Sequence, residues 1–161
     1  MSADVERLVR TLGLAPHPEG GFYVETMRSP LRVSTPYGER AAYTSIYFLL
    51  GEGTLSALHR VRSDETWHHY GGAPLELTTL DDAGQVETRV LGPDVAADQR
   101  PQALVRGGVW QAAVPQGGWA LCGCTVSPGF EFEDFELPSR AELLRRFPAH
   151  QELVTRLTRA R

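Results

Sequence analysis

The chain has 161 residues, 42% of them hydrophobic, and a net charge of −4. That size suits one domain over residues 1–161, and the acidic balance argues against nucleic acid or an anionic membrane as a partner. No apolar run approaches the roughly 20 residues that cross a bilayer; Lys is absent, which excludes lysine Schiff-base chemistry and a Walker-type phosphate loop.

The first residues, Met1 to Glu6, are polar and acidic, unlike a secretory leader, so the expected address is the cytoplasm. Val5, Leu8, Val9 and Leu12 have helical spacing, and Gly13 suits the position just past a helix end. Pro16 and Pro18 bar continuation. Strands are then expected at 22–27, 42–50, 56–61, 66–70, 75–80 and 86–90, with Asp81-Asp82-Ala83-Gly84 as a hairpin turn. More follow at 103–105, 110–114, 119–126 and 130–135. In the last of these, Phe alternates with Glu or Asp, as on a strand with one packed face and one wet face. The tail changes period: Ser139-Arg140-Ala141-Glu142 is a capping box, Pro148 ends that helix, and a second short one starts at His150. The result is about ten short strands with no alternating helices, so the expected class is all-β rather than a parallel α/β sheet.

Cys122 and Cys124 stand two apart on one expected strand, a poor geometry for a disulfide. They read as buried free thiols.

The chemistry concentrates between Gly53 and Gly72. Gly53, His59, Glu65 and Gly72 fall where the first cupin motif has its opening Gly, first His, Glu and closing Gly, while Val61 stands in place of the second His. Val105 to Trp110 resembles the second cupin motif, with Trp110 in place of its His. A wider likeness covers positions 5 to 157. It is carried by Pro18-Glu19-Gly20-Gly21-Phe22-Tyr23, Ser45 to Leu50, His59-Arg60, Asp64 to His68 and Cys124 to Phe135. On these motifs the chain resembles the DUF985 (Cupin_5) family of the cupin superfamily. The resemblance implies a double-stranded β-helix, or jelly-roll barrel, with short flanking helices at both termini. It implies a homodimer too, and a pocket likened to that of sugar-nucleotide epimerase cupins.

Within that barrel, His59 and Glu65 are the expected catalytic pair, since imidazole and carboxylate move protons near neutral pH. Tyr47 is a candidate proton donor opposite His59. Trp67, His68, His69, Trp110 and Gln111 are candidate ligand contacts. Alternation along the strand favours His69 over His68, whereas the family resemblance favours His68. Arg28, Arg60 and Arg106 are candidates to grip an anion.

The cofactor is unknown. His59 and Glu65 suit a divalent metal, but only two of the four usual cupin ligands are present, so weak binding is expected. Two classes of function fit: an isomerase- or epimerase-like enzyme for a sugar or keto acid, with a metal-dependent dioxygenase or lyase as its variant, and a binding protein for a small metabolite. Exposed edges around Tyr43 to Leu50 add a second reason to expect a homodimer.

Overall fold

A computed structural model describes residues 1–160 of the chain. Helix α1 (Ala3–Leu12) is capped by the Ser2 hydroxyl at one end and by Gly13, in the left-handed region at φ 69°, at the other. Then come β1 (Ala15–Pro16), β2 (Phe22–Arg28), β3 (Arg32–Thr35), β4 (Gly38–Ala41) and β5 (Thr44–Leu50). The middle of the chain supplies β6 (Ser56–Val61), β7 (Asp64–Gly72), β8 (Leu75–Leu80) and β9 (Val86–Leu91). The last strands are β10 (Gln102–Val105), β11 (Trp110–Pro115), β12 (Ala120–Ser127) and β13 (Phe135–Glu136), before α2 (Arg140–Arg146) and α3 (Gln151–Arg156).

Two antiparallel sheets form the barrel. One has the order β1-β2-β5-β12-β7-β10, the other β13-β6-β11-β8-β9; β3 and β4 form a separate hairpin. This is the all-β cupin barrel with short terminal helices that the motifs imply. Strand β5 lies inside its sheet, between β2 and β12, so the edge argument for a dimer at Tyr43 to Leu50 does not hold. Among the described residues, no helix is long and apolar enough to cross a membrane.

Strand alternation divides the apolar residues among three clusters. Phe48, Leu50, Trp67, Leu77, Ala120 and Cys122 fill one end of the barrel between the sheets. Outside the six-stranded sheet, α1 lays Val5, Leu8, Val9 and Leu12 over Phe22, Tyr47 and Leu49. Outside the five-stranded sheet, α2 and α3 lay Leu143, Phe147, Val154 and Leu157 over Leu58 and Trp110. The capping box at Ser139 and Glu142 forms as the sequence predicts. Both cysteines are buried and free.

The segment expected to be a strand at 130–135 is instead a 3-10 turn at Phe132–Asp134. Its cause lies outside the segment. Asp134 is drawn to Arg40 of β4 by two hydrogen bonds of 2.7 and 2.8 Å, a bidentate pair with both side chains buried. That pull closes the turn and gathers Phe130, Phe132 and Phe135 into edge-to-face contacts 5.0 to 6.0 Å apart.

Candidate functional site

Beyond the packed end of the barrel the sheets part around a cavity of about 240 Å³. On β5, Phe48 and Leu50 belong to the core while Thr44 and Ile46 line the cavity. On β12, Ala120 and Cys122 are core, Val126 lines the cavity, and Cys124 belongs to both. Glu65 and Trp67, two apart on β7, mark the boundary between the two regions. Strand β6 contributes His59 and Val61, β2 contributes Tyr23, Glu25 and Arg28, and Phe130, Phe132 and Phe135, in and beside the 3-10 turn, close one wall.

His59 and Glu65 therefore share one cavity, as the motif spacing predicts. The direct partner of His59 is a different carboxylate. Its Nε2 lies 2.9 Å from Glu19 Oε2, and its Nδ1 donates to the Ala57 carbonyl at 2.8 Å. Both ring nitrogens thus face acceptors, which only the imidazolium satisfies. Burial alone would lower the His59 pKa; the charge and hydrogen bond of Glu19, with the charge of Glu65, outweigh it and raise the value to about 9. For Glu19, burial acts upward, but the His59 and His17 interactions prevail and hold its carboxyl below the usual range. His17 completes the row: it accepts the Glu19 backbone N–H at Nδ1, 3.2 Å away, and burial lowers its pKa, so it is neutral.

Glu65 has the opposite character. Burial pushes its pKa up, with Glu19 adding to the rise and His59 opposing it. One oxygen, Oε1, accepts from Gln111 Nε2 at 2.7 Å, and Gln111 Oε1 in turn accepts from Trp67 Nε1 at 2.7 Å. This chain fixes the Gln111 amide one way round, and the Cys124 thiol also hydrogen-bonds to the Glu65 carboxyl. Burial, reinforced by the Glu65 charge, holds the Cys124 thiol well above its ordinary pKa, so it stays protonated.

The metal of metal-dependent cupins does not fit these side chains. His59 has no free lone pair, because both nitrogens donate. Among the described residues, no three His, Cys, Asp or Glu side chains converge as ligands of one ion. No step below is routed through a metal.

Residues 6–138 match Cupin_5, described as the Cupin superfamily (DUF985). The chain belongs to the Cupin_5 family. A hypothetical protein from Leishmania major is 34% identical over 96% of this chain and 98% of its own, with a TM-score of 0.91. A protein from Shewanella oneidensis is 40% identical over 100% and 99%, with a TM-score of 0.90. Oxalate decarboxylase from Bacillus subtilis shares the fold at 14% identity and a TM-score of 0.57, over 88% of this chain and 36% of its own. Comparison with curated proteins finds no match.

Several other expected contacts lie elsewhere in this Cupin_5 barrel. Tyr47 faces α1, one residue out of phase with the cavity residues Thr44 and Ile46, and packs against Tyr70. Trp110 is on the opposite face of β11 from Gln111, buried beneath the C-terminal helices, with Arg60 4.3 Å and Arg146 5.5 Å from its ring. Trp67 is core, reaching the site only through Gln111. His68 stacks beside Tyr70, 3.5 Å from Thr125 Oγ1, and His69 donates from Nε2 to Ala73 O; neither lines the cavity. Of the three arginines, only Arg28 lines it; Arg106 pairs with Asp64 at the surface.

Glu19 is the residue the sequence argument missed as part of the site. It sits in the Pro-Glu-Gly-Gly turn before β2, where Gly20 and Gly21 have φ 114° and 72°. A Cβ on Gly21 would lie 2.6 Å from Leu49 O. Gly21→Ala is therefore expected to cost about 2–3 kcal/mol in urea denaturation. Gly13→Ala, where a Cβ meets nothing within 4 Å, should cost only the left-handed penalty of about 1 kcal/mol. Equal losses in the two variants would disprove the close-approach argument.

Proposed function

We propose that the cavity binds a small metabolite, a sugar or keto acid, and moves a proton next to its carbonyl, as an isomerase does. One observation carries this reading: two carboxyl groups of one cavity are pushed in opposite directions, Glu19 down and Glu65 up. Environments that split similar groups in this way mark acid–base sites.

In this reading Glu65 is the proton carrier. Its carboxylate takes the proton from the carbon beside the carbonyl, and the bond electrons move onto the carbonyl oxygen. The buried positive charge of His59 stabilises that oxygen. His59 is not the base, because its protons are already committed to Glu19 and Ala57. Glu65 then returns the proton to the neighbouring carbon while the hydroxyl proton crosses between the two oxygens. A single carrier suits such a shift on one face better than an epimerisation, which delivers the proton from the other side.

The second reading, a binding protein without turnover, is favoured by the closed hydrogen bonding of His59 and of Glu65 Oε1. The two are separated by incubating the protein with sugars and keto acids in deuterium oxide and following the α-proton by NMR. Isomerase action predicts exchange in the wild type and at least about a hundred-fold loss in Glu65→Gln. A ligand that binds without any exchange would establish the binder instead.

A homodimer belongs to this proposal as well. Tyr70 and Leu104 leave apolar surface exposed on the six-stranded sheet, which a second copy would cover.

A further inference from the structure

We propose that the cavity selects an uncharged, hydroxyl-bearing ligand, a neutral sugar, over a keto acid or a sugar phosphate. This rests on the reading of the cavity as a ligand site and narrows its ligand class.

The argument is one of charge pairing. Two cations line the cavity, His59 and Arg28, since His17 is neutral. His59 is held by Glu19. Arg28, at the mouth, donates from Nε and Nη2 to Glu25 at 3.2 and 2.7 Å and from Nη1 to Glu131 at 2.9 Å; Nη2 also reaches Phe130 O at 3.1 Å. Both cations already face carboxylates. Against their two positive charges stand Glu19, Glu25 and Glu131, so the lining is negative before Glu65 is counted. A carboxylate or phosphate entering here would have to strip Arg28 of a partner and leave that carboxylate unpaired.

A neutral polyol meets no such cost. The carboxylate oxygens of Glu25 and Glu131 can accept hydroxyl protons at the mouth, and Glu65 can at the floor. Tyr23, Phe130 and Phe135 offer flat apolar surface to the C–H faces of a ring. The volume agrees. A dry cavity of about 150 Å³ holds a benzene ring, so about 240 Å³ takes one sugar ring.

Saturation-transfer NMR on the wild-type protein tests this with matched probes: neutral hexoses and pentoses, their phosphates and uronic acids, and pyruvate. The expected result is binding of at least one neutral sugar, with its phosphate and uronate weaker by about ten-fold or more. In Glu25→Gln/Glu131→Gln, where Arg28 loses both charged partners, that discrimination should shrink or reverse. Tighter binding of pyruvate or of a sugar phosphate by the wild type would overturn the proposal, as would no binding by any probe at about 10 mM or unchanged discrimination in the double variant. The readout is binding, so it is independent of turnover. A neutral sugar that binds without α-proton exchange would remove the isomerase reading and leave the selection intact.

Discussion

Replacing Glu19 by Gln is expected to drop the His59 pKa from about 9 to near or below the ordinary imidazole value, because burial then acts with little to oppose it. Titration of the His59 ring by NMR reads this directly. Stability should change with it. A folded-state pKa above the unfolded one adds stability that is fully present below about pH 6.5 and is lost as pH rises through about 9. At 1.36 kcal/mol per unit, the contribution is about 3 kcal/mol. Wild-type stability in urea should therefore fall by that order between pH 6.5 and 9.5. Glu19→Gln should be less stable at pH 6.5 and nearly flat over the same range. A slope that survives in the variant would mean that Glu19 does not hold the proton on His59.

Trp110→Ala is expected to cost about 3–5 kcal/mol, the usual range for emptying a large aromatic site in a core. The indole is fully buried between the five-stranded sheet and the C-terminal helices. It also carries Arg60 and Arg146 over its ring, so truncation removes two cation–π contacts as well. The milder Trp110→Phe should lose part of that stability and leave ligand binding unchanged, since Trp110 and Gln111 lie on opposite faces of β11. Weakened binding in Trp110→Phe, with its fold intact, would place the side chain in the ligand's path after all.

The contrast between Trp110 and Glu19 shows where sequence pattern carries information. Strands β6 and β8 have the expected bounds because alternation and glycine turns mark them locally. No expected strand covers the hairpin of β3 and β4: Val33 and Ala41 are the only apolar residues of its two strands, too few for a hydrophobic pattern. Tyr47, a candidate for the cavity, lies on the other face for another reason. Both faces of β5 are apolar, one under α1 and one in the barrel, so alternation shows two faces without saying which is inside. The 130–135 segment alternates like a strand, and only Arg40, 94 residues from Asp134, turns it. Glu19 and His59 are likewise separated by forty positions and meet only once the Gly-Gly turn is folded. The glycines were the visible trace of that turn, but a glycine pair says that a backbone bends, not which side chain the bend presents.

The cavity floor comes from barrel strands and one of its walls from the 3-10 turn. His59 and Glu65 belong to β6 and β7, whereas Phe130 and Phe132 ride on a short span tied by Arg28 at Phe130 and Glu131 and by Arg40 at Asp134. The apolar side chains between those ties can change in size while the two arginines and the strands stay put. Such an arrangement lets one reactive floor serve different tenants: evolution or a designer can exchange the panel that greets the ligand without disturbing the groups beneath it.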